Sequence, residues 1–183
     1  IKTLRPKVDV LAVSMHWGVH FAPSIIAEYQ YEVGHAAIDA GADIILGHHA
    51  HILKGIEIYK GKVIFFSLCN FALPLPLSFM NNPDTDLHEI HEFYRYQIDP
   101  EYTSYAMPID SQKTILVKCD IADKKIQRVA YLPLWVNKKG EPEPVSRSDP
   151  RSDEHYRYME WLCKDQWLNT RFCREGDEVV VST

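Results

Sequence analysis

Ala42-Asp43-Ile44-Ile45-Leu46-Gly47-His48-His49-Ala50-His51 is the stretch on which the reading of this chain turns. A short apolar run of this kind is the pattern of a buried strand, and three imidazoles within four positions stand at its exit. Upstream, Val8-Asp9-Val10-Leu11-Ala12-Val13-Ser14 is a second run rich in β-branched residues, predicted to be a strand covered on both faces, and it leads into Met15-His16-Trp17-Gly18. Between the two runs, Pro23-Ser24 open a helical pattern with Ile26, Tyr29, Val33 and Ala37 on one face, and Gly41 closes it. Strand, helix, strand with short joints is a βαβ unit with parallel strands and a right-handed crossover. Parallel strands end at the same sheet edge, where open α/β sheets collect their ligands, so His16, His49 and His51 are expected to share one pocket. Imidazole suits zinc, manganese, iron or nickel, and alternate residues of an extended segment point the same way, which would bring His49 and His51 to one ion or two adjacent ions. The competing reading is a run of surface-loop histidines. Their place at strand exits favours ligation.

Beyond the histidines the pattern changes to hairpins. Gly55–Tyr59 and Lys62–Ser67 flank Lys60-Gly61, and residues 114–120 and 126–132 flank the polar turn Ala122-Asp123-Lys124-Lys125. Antiparallel hairpins after a parallel unit favour an α/β sandwich over a doubly wound sheet. From Pro74 to Asp110 no periodicity is sustained, and the segment reads as a long excursion with one short helix near 86–94, whose His88 and His91 lie on a solvated face. Residues 137–144 read as a polar, proline-punctuated linker. A docked helix follows from about Ser152 to Leu168, with Tyr158, Trp161 and Leu162 marking its apolar rhythm, and 176–181 reads as a final strand.

The chain has 183 residues, 46% hydrophobic and 25% charged, with a formal net charge of -5. That is an ordinary globular composition without the basic stripe that binds a phosphate backbone, so nucleic acid is excluded as a partner. No apolar run approaches the roughly twenty residues of a membrane span, and the start is not a signal peptide; the compartment stays open. The missing initiator Met points to a processed chain or a fragment. Cys69, Cys119, Cys163 and Cys173 are scattered without a Cys-x-x-Cys pair, and free, mostly buried thiols are expected.

Ser14-Met15-His16-Trp17-Gly18, Gln30, Ala40-Gly41-Ala42-Asp43, Gly47-His48-His49-Ala50-His51 and Ser67-Leu68-Cys69-Asn70-Phe71 together resemble the later half of the CapA/PgsA capsule-synthesis proteins. That family is associated with poly-γ-glutamate biosynthesis and falls in the calcineurin-like metallophosphoesterase superfamily. The resemblance is dense from Val8 to Phe71 and weak in the excursion. It implies a partial calcineurin-like α/β sandwich, with residues 1–136 as the carboxyl-terminal part of the metallophosphatase domain and 137–183 as linker, docked helix and terminal strand of the same domain. It also implies a divalent metal centre (manganese, zinc or iron), dinuclear in a complete domain, with His16, His49 and His51 as ligands. His48, Asn70 and His20 are then contacts to substrate or to the ligands.

The departures from the family pattern are informative. His20 stands where the family commonly has an acidic residue, Cys69 replaces a glycine, and His48 falls where simple phosphoesterases have glycine. The first-half ligands (Asp-x-His, Gly-Asp and Asn-His) have no counterpart in these residues. Three neutral imidazoles without a bridging carboxylate make half of a two-metal centre. The expected partners are therefore a missing amino-terminal half or a second copy, within a capsule synthesis complex. Two functions follow: a metal-dependent hydrolase once completed, or a non-catalytic accessory component of polymer synthesis or export.

Overall fold

The computed structural model describes residues 1–80, 82–83 and 92–183. Its strands are β1 (Ala12–Trp17), β2 (Ile44–His49), β3 (Ile56–Tyr59), β4 (Lys62–Phe65), β5 (Lys113–Ala122), β6 (Lys125–Val136), β7 (Pro142–Pro144), β8 (Arg171–Glu175) and β9 (Glu178–Ser182). The helices are α1 (Glu28–Asp39), the single turn α2 (Leu77–Met80) and α3 (Arg151–Asp165). One sheet has the order β1-β2-β4-β3 and the other β5-β6-β9-β8, with β7 also paired to β6. In the first sheet β1, β2 and β4 are parallel and β3 closes a hairpin on β4, as the βαβ unit followed by a hairpin predicts.

Side-chain alternation sorts the first sheet into two faces. Ile45, Ile64, Phe66 and Trp17 pack with Ala37 and Ile38 beneath α1. Ile44, Val63 and Phe65 turn the other way, against Ile115, Val129, Tyr131, Val179 and Val181 of the second sheet, and Met159, Leu162 and Cys163 of α3 close this central layer. Burying such a layer is the main favourable term in the fold.

Three sequence expectations change here. The first strand is not covered on both faces: β1 is the edge of its sheet, and Ala12, Ser14 and His16 are exposed while Trp17 is buried. Helix α1 starts at Glu28, because Phe21 and Ser24 adopt left-handed backbone (φ 52° and 55°) that a helix cannot contain. Its buried face is Gln30, Gly34, Ala37 and Ile38, with Tyr29 and Val33 exposed. Gly34 sits over the sheet, where a Cβ would lie 3.4 Å from Ile64, at ordinary contact distance.

The carboxyl-terminal reading changes in the same way. Helix α3 buries Ser152, His155, Met159, Leu162 and Cys163 and leaves Trp161 exposed. The linker holds strand β7, and the last strand is half of a hairpin whose partner, β8, gave no clear alternation in the sequence. The excursion forms its own small core of Leu75, Tyr105, Ala106, Met107 and Val136, flanked by Phe21 and Tyr96. The short helix expected near 86–94 falls largely outside the described residues, as do His88 and His91; residues 92–94 are helical. All four cysteines are free, Cys163 buried and Cys173 exposed. No helix among the described residues is long and apolar enough to cross a membrane.

Candidate functional site

The carboxyl ends of β1 and β2 lie side by side, with Trp17 in register with His49. The glycine that begins the histidine run is required by packing: a Cβ on Gly47 would lie 2.2 Å from the Phe66 carbonyl oxygen and 2.6 Å from that of Phe65. Trp17 anchors the other strand end, its indole N–H donating to the Phe66 carbonyl at 3.0 Å. Beyond β1, the Tyr29 hydroxyl accepts the Gly18 amide (2.7 Å) and Gln30 Oε1 accepts the Ala27 amide (2.9 Å), which staple the 18–27 loop to α1.

These anchors bring four histidines together. His49 Nδ1 and His16 Nε2 are 2.8 Å apart. The His20 ring lies over His49 with centroids 3.8 Å apart, and its centroid is 5.7 Å from that of His51. Phe21 covers His51 from the same loop, with Tyr94 and Tyr96 beside it. The convergence of His49 and His51 does not come from strand alternation: β2 ends at His49, and both residues have left-handed backbone (φ 89° and 56°). A non-glycine residue held in that conformation is strained, and such strain gathers at functional sites. His48 is in register with His16 and lines a separate cavity of about 280 Å³ with Leu46, Leu68 and Cys69.

Burial lowers the basicity of His20, His48 and His49, and repulsion from neighbouring imidazoles adds to it. His20 is pushed down to about 4, first by desolvation and then by His49, His51 and His16. His49 and His48 are lowered for the same reason, burial first and His16 next. His20, His48 and His49 are therefore held toward the neutral imidazole, the form in which histidine donates a lone pair.

Two features escaped the sequence. Lys54 is 1% exposed, and its ammonium donates to the carbonyls of Ala22 and of Ile25 (2.8 Å), pinning the loop that carries His20 and Phe21. Burial lowers it to about 8. A polar chain also runs from His51 into the excursion: His51 Nδ1 is 2.7 Å from Asn70 Oδ1, and Asn70 Nδ2 donates to the Tyr105 hydroxyl (2.7 Å). That hydroxyl in turn donates to the Ser111 carbonyl (2.9 Å). Cys69, whose thiol burial pushes up to about 12, rests its Sγ against the carbonyls of His51 and Ser111 and packs rather than reacts. No local pattern marked Tyr105 or Ser111, because contact with Asn70 depends on how the excursion folds.

As donors, the rings suit a divalent ion. Two imidazole nitrogens sharing one ion at about 2.1 Å each stand about 3.3 Å or more apart, so the His16–His49 contact is a hydrogen bond that must open for both to ligate. Among the described residues no group of three or more His, Cys, Asp or Glu side chains is already arranged around an ion. Asp43, at the opposite end of β2, pairs with Arg5 and Lys62, and Glu57 pairs with His35 at 2.8 Å.

This segment has known relatives. Residues 1–74 match the sequence model of the bacterial capsule synthesis protein PGA_cap. The chain is 44% identical over 72 residues to the PGA biosynthesis protein CapA of Bacillus subtilis, an alignment covering 39% of this chain and 19% of that protein. It is 45% identical over 70 residues to the capsule biosynthesis protein CapA of Bacillus anthracis, covering 37% and 16%. A probable polyglutamine synthesis accessory protein of Mycobacterium tuberculosis is 42% identical over 62 residues, 32% of this chain and 15% of the relative. Over residues 1–74 the chain is similar to the PGA_cap capsule-synthesis family, and it spans less than a fifth of the length of these relatives. Every residue of the histidine cluster lies in that segment, whereas Tyr105 and Ser111 lie beyond it.

Proposed function

We propose that this chain carries the histidine half of a divalent metal centre in a protein of capsule or poly-γ-glutamate synthesis, and that the complete protein is a metal-dependent hydrolase of the phosphoesterase type. The observation that carries this reading is the convergence of His16, His20, His49 and His51 at the ends of two parallel strands, with His49 and His51 in strained backbone. A parallel β1-β2-β4 sheet packed on an antiparallel sheet supports the calcineurin-like reading of the fold. In this reading His16, His49 and His51 hold manganese, zinc or iron. Bound there, the ion would act as a Lewis acid and lower the pKa of water.

The residues around the ligands have distinct tasks. Asn70 orients His51, and Phe21, Tyr94 and Tyr96 shield one side of the cluster from water. His20, held neutral by burial and its neighbours, keeps a ring lone pair beside the ligands. Carboxylates that bridge and neutralise the ions come from a segment outside these residues or from a partner chain. The unpaired edge of β1 offers backbone hydrogen bonds to such an element.

A second reading, a non-catalytic accessory component, draws on the all-imidazole character of the cluster and on the accessory role in the name of the mycobacterial relative. Hydrolysis assays with a phosphodiester and with a γ-glutamyl polymer, on a full-length protein containing this chain, separate the two. Metal-dependent turnover that His49→Ala abolishes supports the hydrolase. Metal binding without turnover of either substrate supports the accessory reading.

A further inference from the structure

We infer that Tyr105 is a positioning residue for the histidine cluster: through Asn70 its hydroxyl selects the tautomer of His51 and leaves His51 Nε2 as the free lone-pair donor. The role in ligation rests on the proposed metal centre. The tautomer itself does not.

The direction of the chain follows from its far end. The Ser111 carbonyl has only lone pairs to offer, so at 2.9 Å the Tyr105 hydroxyl spends its single proton there. The Tyr105 oxygen is then an acceptor, and the Asn70 group facing it at 2.7 Å must be the NH₂. That orientation turns Asn70 Oδ1, an acceptor only, toward His51 Nδ1 at 2.7 Å. His51 must place its proton on Nδ1, and Nε2 is left bare. Each link leaves the next one choice, and the chain starts at a backbone atom that cannot change character.

Burial makes the selection effective. Tyr105 is 1% exposed and Asn70 7%, so water does not replace a missing partner at low cost. Burial also raises the Tyr105 hydroxyl far above its ordinary range, which keeps it a donor at every relevant pH. The Ser111 hydroxyl and the Cys69 thiol both reach the His51 carbonyl, so the same segment holds the ring's backbone as well as its proton. A hydrogen bond that fixes the far nitrogen of a ligating histidine is worth ten- to a hundredfold in metal affinity. Tyr105 would thus tie the cluster to a segment beyond the matched residues 1–74.

Nitrogen-15 NMR of the imidazoles in the metal-free chain at pH 8 tests this. The wild type is expected to show His51 as the Nδ1–H tautomer. Tyr105→Phe, which keeps the ring and its packing, should move His51 toward the Nε2–H form that an unconstrained imidazole prefers. Adding Asn70→Asp to Tyr105→Phe should restore the Nδ1–H form, because a carboxylate facing His51 only accepts. A residue that merely fills the core would show neither the change nor the rescue. An Nε2–H tautomer in the wild type, or an unchanged tautomer in Tyr105→Phe, would overturn the inference; the first needs no variant to fold. Zinc titration of the same proteins should show affinity at least tenfold lower in Tyr105→Phe. Failure of the wild type to bind zinc here or in the full-length protein counts against the metal centre alone.

Discussion

His49 Nδ1 faces His16 Nε2 across 2.8 Å, so the two ring nitrogens best placed to share an ion share a proton instead. An ion must displace that proton, and both rings must present lone pairs. Because burial and His16 hold His49 below its ordinary value of 6.5, protons compete only in acid. Metal affinity is expected to be flat between pH 7 and 8 and to fall only in acid, below the ordinary imidazole range. Calorimetric titration with zinc across that range checks this; a steep rise between pH 7 and 8 would show that other groups control binding.

Gly47 is the position at which the histidine run is most sensitive to a single methyl group. A Cβ there would overlap two main-chain oxygens of the neighbouring strand, which cannot move aside as a side-chain tip would. Gly47→Ala should cost about 3 kcal/mol or more and shift the cluster even though no histidine is touched. Chemical denaturation measures the loss. A variant as stable as the wild type would show that β2 and β4 are not held this close.

Lys54→Met would leave the carbonyls of Ala22 and Ile25 without their donor in a buried site. The expected loss is about 1–3 kcal/mol, concentrated in the 20–25 loop rather than spread over the fold. The Phe21 amide, bonded to the Ala50 carbonyl at 3.0 Å, should then exchange its hydrogen faster. Unchanged exchange there would mean that α1 and the aromatic contacts suffice to hold His20.

His155 supplies a pH dependence away from the cluster. It is fully buried, with Nε2 donating to the Thr114 carbonyl at 3.0 Å and Nδ1 without a partner among the described residues, and burial lowers it to about 4. From its ordinary 6.5 down to about 4 the unfolded chain takes up a proton that the folded chain refuses, so stability falls with falling pH across that window. The full loss is up to about 3 kcal/mol, at about 1.4 kcal/mol per pKa unit. Denaturation at pH 7.5 and pH 4.5 should show a larger drop in the wild type than in His155→Gln, which does not titrate. Equal drops would show that His155 titrates alike in both states.

The parallel strands, both long hairpins and the meeting of His16 with His49 were legible because they follow from short apolar runs and the turns that separate them. What stayed hidden depends on tertiary contact. Ala12 and Ser14 read as part of a covered strand, since an apolar run does not reveal that its strand lies at a sheet edge. Tyr29 and Val33 fit a helical stripe, yet α1 turns Gln30, Gly34, Ala37 and Ile38 inward instead. Strand β7 formed in a proline-bounded stretch because it pairs at the border of β6, where a missing amide is tolerated. Asn70 stood out as a polar residue after a strand, but Tyr105 lies thirty-five positions away in a segment without periodicity.

The most direct test of the central claim is metal analysis combined with calorimetric titration of a full-length protein containing this chain, alongside its His49→Ala/His51→Ala variant. Stoichiometric manganese, zinc or iron is expected in the wild type, and affinity reduced at least a hundredfold in a variant that stays folded. Equal metal content and affinity in the two proteins would contradict the claim.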